Sequence, residues 1–117
     1  MSVAYHTLIS LLLPAGLLDY FELTAVKQRS AGLQLYLEEK NVTPQEYKDQ
    51  VLESKGFLPE ISIQDFPIRG QQVLLEVKRR RWQVKATGAI ISRDWQLVQK
   101  GTRMTSEFAS FLKEAIR

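Results

Sequence analysis

The chain contains no cysteine and one histidine, His6, among its 117 residues. Disulfides are thereby excluded, and so is a zinc site of the usual four-ligand thiolate kind. A protein without disulfide staples fits the cytosol. Gly-rich phosphate loops are missing too: neither Gly-x-Gly-x-x-Gly nor Gly-x-x-x-x-Gly-Lys-Ser/Thr occurs. No internal repeat or low-complexity stretch is visible. Leu8 to Leu13 is apolar with one serine, but it spans six residues and no basic cluster precedes it. A signal peptide needs a positive start and a longer apolar stretch, and a membrane span needs about 20 residues. The expectation is a cytoplasmic protein with no membrane partner.

Catalytic constellations are equally scarce. A small enzyme needs a nucleophile with a base, a carboxylate pair in a cleft, or a metal set. His6 falls in a terminal helix with no acid three or four residues on, so it reads as a surface or packing histidine. Asp65 and Asp94 lie in the patterned region and read as strand-end salt-bridge partners for Arg69 or Arg93. No catalytic residue, cofactor or metal is assigned, and the chain is not expected to be an enzyme.

What is present is enough for one folded unit. The length suits a single domain over residues 1–117, and 44% hydrophobic residues with 25% charged residues are ordinary for a soluble globular chain. The net charge of +3 conceals an uneven division. Residues 1–60 carry five Lys/Arg against eight Asp/Glu, a balance of −3, whereas residues 61–117 carry eleven against five, a balance of +6. Such asymmetry is the footprint of a nucleic-acid-facing half joined to an acidic or neutral scaffold.

Periodicity predicts an α+β fold. Tyr5 to Leu13 reads as a short core helix broken by Pro14-Ala15-Gly16, and another helical turn covers Leu17 to Tyr20. Phe21, Leu23 and Ala25 alternate with polar residues, as do Leu33, Leu35 and Leu37. A turn at Arg29-Ser30-Ala31-Gly32 makes these a hairpin. Glu39 to Ser54 reads as a polar linker with one helical turn after Pro44. Ile61 and Ile63 start a strand closed by Pro67 and Gly70. Val73 to Val84 reads as one long strand with an anomaly: its apolar residues are odd-numbered through Val77 and even-numbered at Trp82 and Val84. A β-bulge across the arginines would shift the phase in this way. Ile90 to Trp95 pairs back through Ala86-Thr87-Gly88. Thr105 is an N-cap with Glu107 in the first turn. Phe108, Phe111, Leu112, Ala115 and Ile116 then form the stripe of an amphipathic helix. Residues 1–54 thus make a helix-plus-hairpin scaffold, and residues 55–117 a basic hairpin region with the C-terminal helix.

The chemistry concentrates at Lys78-Arg79-Arg80-Arg81-Trp82. Four consecutive cations closed by an indole are costly to bury and form an edge for an anion. A solvated basic surface is the bland alternative, and Trp82 and Trp95 are the kind of aromatics that usually belong to a core.

A family resemblance enters at Asp65-Phe66-Pro67-Ile68-Arg69-Gly70, Val73-x-Leu75-x-Val77, Arg80-Arg81-Trp82 and Gly101-Thr102-Arg103-x-Thr105. The run from Ile61 to Leu112 resembles the N-terminal region of bacterial insertion-sequence transposases of the ISL-three superfamily, most closely the ISAon type. Leu13-Pro14-x-Gly16-Leu17-Leu18-x-Tyr20-Phe21 and Tyr36-Leu37-Glu38-Glu39 extend it loosely. The resemblance implies a small ribbon of antiparallel hairpins that precedes an RNase-H-like domain with a DDE triad, which would lie beyond Arg117. Ribbon members carry cysteine pairs, and Val84 stands close to where one falls. A zinc-free ribbon is therefore expected, held by contact among Phe57, Ile63, Val84, Ile91 and Trp95. Two functions follow. In the first, the chain is a non-catalytic module of the mobile element's transposase that binds transposon-end DNA. Lys78, Arg79, Arg80 and Arg81 then engage phosphates, Arg69 and Arg103 flank them, and Trp82 packs beneath or stacks. In the second, it is an interaction module that docks on the catalytic portion or on itself through the C-terminal helix. A homo-oligomer stays open.

Overall fold

The computed structural model describes residues 2–93 and 105–115. It has an α+β architecture of two sheets, with helices at both ends of the chain. Helices α1 (Val3–Leu12) and α2 (Leu17–Tyr20) lead into strands β1 (Phe21–Arg29) and β2 (Gly32–Glu39). A single 3-10 turn at Gln45–Tyr47 precedes β3 (Leu52–Phe57), β4 (Ile61–Ile68), β5 (Gln71–Lys78), β6 (Arg80–Val84) and β7 (Ile90–Ser92). Helix α3 (Ser106–Ala115) closes the order. The larger sheet runs β1-β2-β5-β4 and the smaller β3-β6-β7. All strand pairs are antiparallel except β2 with β5.

The main core lies on one face of the larger sheet. Leu35, Leu37, Ile63, Val73, Leu75 and Val77 meet Leu13, Leu17, Leu18 and Phe21 from the α1–α2 segment. Alternation along each strand supplies this face, as the period of two requires. In β1 the register shifts between Leu23 and Ala25, so Ala25 pairs with Tyr36 while Leu23 pairs with Leu37. Burial still alternates across the shift as expected: Phe21 is buried, Leu23 and Ala25 are half-buried, and Glu22, Thr24 and Val26 are exposed.

Three further expectations are corrected. Residues 52–57 are a strand, not the end of a linker and a break. Gly56, at φ +77°, sits in the register shift between Ser54 and Phe57, which hides the period of two. Second, residues 73–84 are two strands. Residue 79 belongs to neither ladder, and the chain there leaves one sheet for the other. That single unpaired residue shifts the apolar phase, so no bulge is needed. Third, α1 is not a core helix. None of its residues is buried, and only Ile9 and Ser10 are half-buried.

The apolar contacts expected to stand in for zinc divide between the sheets. Ile63 belongs to the main core. Trp82 and Val84 are buried in the smaller sheet, where Trp82 pairs with Ile91 and Val84 with Leu52. With Val84 only 3% exposed among apolar neighbours and no thiolate in the chain, these residues do not fit a zinc ion. Asp94, Trp95 and the Gly101-to-Met104 motif lie outside the described residues.

Candidate nucleic-acid interface

The crossing from β5 to β6 carries the four cations past a buried carboxylate. Glu39, 1% exposed, ends β2 beside this crossing. Its Oε1 accepts the main-chain N–H of Arg80 at 2.9 Å, and its Oε2 accepts Arg93 Nε at 3.3 Å. The carbonyl of Arg79 accepts the N–H of Leu58 at 2.8 Å. These bonds turn the backbone between the sheets and fix where each cation points.

Arg80 points inward. Its Nε donates to the Glu39 carbonyl at 3.2 Å, its Nη1 donates to Ser54 Oγ, and its guanidinium lies 4.7 Å from the Phe57 ring centroid. It shares a strand face with Trp82 and Val84, so it joins the sheets and is not part of an outward cationic row. Trp82 is fully buried, with Nε1 donating to Asn41 Oδ1 at 2.8 Å. An indole so placed packs beneath the cations and offers no face for a base.

Lys78, Arg79 and Arg81 remain. Lys78 is exposed, while Arg79 and Arg81 are half-buried. Arg81 lies on the outer face of the smaller sheet, where its Nη2 donates to the Lys55 carbonyl at 3.1 Å. The Nε–H groups of Arg79 and Arg81 are covered and meet no acceptor. Among the described residues, the ion pairs are Lys55 with Glu53 and Arg93 with Glu39, so none of the three is neutralised by a carboxylate. Lys85, exposed, extends the positive surface along the smaller sheet, whereas Lys55 is paired with Glu53.

Arg69 stands elsewhere. With Gly70 it forms a two-residue turn in which both residues have positive φ, +53° and +77°. That is the type I′ geometry of tight hairpins, and Arg is an unusual first residue in it. The turn is at the far end of β5, roughly 25 Å from Lys78 at the ordinary strand rise. The β1–β2 turn, with Arg29, lies at the same end as Arg69, because Gly32 pairs with Gln72. The cations thus form two groups at opposite ends of β5. Arg103 lies outside the described residues.

Asp65 does not pair with an arginine. It is 3% exposed, and its Oδ1 accepts Thr105 Oγ1 at 2.8 Å. Thr105 also donates its N–H to the Gln64 carbonyl and accepts that of Phe108, capping α3 against β4. Glu107 Oε1 accepts the N–H of Ala15, and Phe108 packs on Phe66 with ring centroids 5.2 Å apart. Burial raises the Asp65 pKa; the hydroxyl of Thr105 and the N–H of Phe66 oppose this, and the charge of Glu107 adds to it. The neighbourhood is a helix anchor. Among the described residues, no three His, Cys, Asp or Glu side chains converge as metal ligands.

Sequence reasoning passed over Glu39 and Asn41, yet Glu39 carries a legible signal. It takes the next place in the apolar series Leu33, Leu35, Leu37, and an acid in the core phase of a strand needs a partner.

Comparison with family models, with curated proteins and with solved structures finds no match to this chain. Among the described residues, no helix is long and apolar enough to cross a membrane.

Proposed function

We propose that this chain is a non-catalytic DNA-binding module that holds duplex phosphates at the β5–β6 crossing. One observation carries the reading: Lys78, Arg79 and Arg81 fall within four residues of the β5–β6 crossing, reach the surface at least in part, and have no carboxylate partner among the described residues. Exposed cationic groups without a carboxylate partner suit phosphate oxygens, which accept charge-assisted bonds. Exposed Lys85 widens the same surface. The positive balance of residues 61–117 supplies long-range attraction of the same sign.

The motifs that resemble insertion-sequence transposases give the reading its direction. DNA of that kind would be a transposon end, the partner a catalytic transposase portion, and the compartment the bacterial cytoplasm. The alternative, docking through the stripe of α3, is disfavoured by Phe108. That residue is buried against the chain's own Phe66, so the start of the stripe is already engaged.

Titration of a labelled duplex at several salt concentrations tests the proposal. Affinity should fall steeply with salt, by about 0.9 log units per log unit for each phosphate contact. Duplex incubated with the protein and magnesium or manganese should remain uncut. Absence of duplex affinity at low salt would overturn the DNA reading. Nicking that disappears with Asp65→Asn would overturn the non-catalytic one.

A further inference from the structure

Helix α1 presents an apolar surface without a partner among the described residues. Val3, Tyr5, Leu8, Leu11 and Leu12 are exposed by 85%, 65%, 55%, 78% and 50%. Residues 1–18 contain no Asp, Glu, Lys or Arg. Ten residues capped by Ser2 are short for a helix: isolated helices below about 12 residues are marginal in water and draw stability from packing on a face. In α1 only Ile9 and Ser10 turn toward the rest of the chain.

We propose that α1 is a self-association surface, through which two copies of the chain pair as antiparallel helices. Ala4, Leu8 and Leu11 are spaced i, i+4, i+7 and fall on one stripe, flanked by Tyr5 and Leu12, opposite Ile9 and Ser10. In an antiparallel pair centred between Thr7 and Leu8, Ala4 of one copy faces Leu11 of the other. Small meets large at both ends, as interdigitated helices require. A two-fold pair brings identical surfaces together, so any net charge on the stripe would repel itself. This stripe has none.

Area favours a reversible dimer. Tyr5, Leu8, Leu11 and Leu12 at these exposures leave on the order of 500 Å² of apolar surface, near the upper limit for a monomer. Two such surfaces bury roughly 1,000 Å² in total, in the range of weak, specific association. At its C-terminal end the stripe borders a cleft of about 330 Å³ whose lining mixes Leu11, Leu12, Phe66 and Pro67 with Asp65 and Glu107, so the apolar contact between copies comes from the helix stripe itself. A lipid surface is the less suitable occupant. Helices that lie on membranes carry a basic polar face, and the first cation in this sequence is Lys27. The inference is independent of the DNA reading.

Sedimentation equilibrium of the full chain across micromolar loading concentrations tests it. The expected result is a monomer–dimer equilibrium that Leu8→Glu weakens at least 100-fold, as does Leu8→Lys. The β-sheet signal in circular dichroism should be retained, since Leu8 lies outside the core. Mixing the Leu8→Glu and Leu8→Lys variants should restore a dimer, because opposite charges then meet across the pair. A wild-type chain that stays monomeric, or a dimer indifferent to both variants, overturns the proposal. So does a monomer that co-sediments with phosphatidylcholine vesicles in a Leu8-dependent manner, which would assign the stripe to lipid.

Discussion

Glu39 and Arg93 form a nearly buried ion pair across the two sheets, with Oε2 to Nε at 3.3 Å and side-chain exposures of 1% and 15%. Arg93 also donates Nη2 to the Val42 carbonyl and lies 4.4 Å from the Tyr20 ring centroid. Glu39 ends β2, whereas Arg93 follows β7, so the pair joins distant parts of the chain. Glu39→Ala removes the carboxylate partner of Arg93 and the acceptor of the Arg80 main-chain N–H together. Losing one partner of a buried pair costs about 3 kcal/mol or more. The urea midpoint should fall accordingly. A double-mutant cycle with Arg93→Met should show coupling between the two changes, and strict additivity would mean that the pair is energetically idle.

Gly32 marks a close backbone approach in the larger sheet. A Cβ there would stand 2.2 Å from the Gln72 carbonyl oxygen, where β2 and β5 run parallel. The atom in the way is main chain, so relief requires the two central strands to separate. Gly32→Ala should unfold the protein or lower its stability by about 3 kcal/mol, at the upper end for local backbone strain. Gly70→Ala is the comparison, because its Cβ would meet nothing within 4 Å and only the positive φ opposes it. That change should cost about 1–2 kcal/mol. Equal losses in chemical denaturation would remove the strand contact as the cause.

Asp65 gives the stability a pH dependence of defined sign. Its carboxyl pKa is raised, first by burial and then by the charge of Glu107, against the bonds from Thr105 and the Phe66 N–H. The folded chain therefore keeps this proton at a pH where the unfolded chain has released it. The stabilising contribution is complete below the ordinary aspartate pKa and is lost as pH rises through the raised value. Asp65→Asn keeps an acceptor for Thr105 and removes the titration. Its stability relative to wild type should improve from acid toward neutral pH, as read from denaturation at a series of pH values. A constant difference across the series would show that Asp65 is not desolvated.

Much of the frame was legible because alternation and capping are local. The β1–β2 hairpin with its turn before Gly32, the β4–β5 pair closing at Gly70, and the Thr105 cap of α3 all follow from residues within a few positions of one another. Features that depend on distant partners were not legible. The break at residue 79 resembles a bulge in one dimension, because either device shifts the apolar phase by one residue. Only the exchange of β4 and β2 for β3 and β7 tells them apart. The cationic run shows the same limit. Four adjacent positive charges look alike in sequence, yet Ser54, Phe57 and Glu39 hold the Arg80 guanidinium between the sheets, while Lys78 is exposed and Arg79 and Arg81 are half-buried. Helix α1 misled for the opposite reason, since apolar residues predict burial without saying in which molecule.

The different environments of the four cations make the interface testable residue by residue. Replacing Lys78, Arg79 and Arg81 together by alanine should flatten the slope of log affinity against log salt by roughly two to three units, each released phosphate counting about 0.9. The fold should survive, because none of the three is held by an ion pair among the described residues. Arg80→Ala should do the reverse. It removes bonds to Ser54 and the Glu39 carbonyl and should lower stability by about 1–3 kcal/mol, while the salt slope of the folded fraction stays where it was. Arg69→Ala separates two modes of binding. If a duplex lies along β5 and reaches both ends, the slope flattens by about one unit; if DNA touches the β5–β6 crossing alone, it does not change. A slope that responds to Arg80 but not to Lys78, Arg79 and Arg81 would mean that the surface cations are solvated and that DNA is bound elsewhere or not at all.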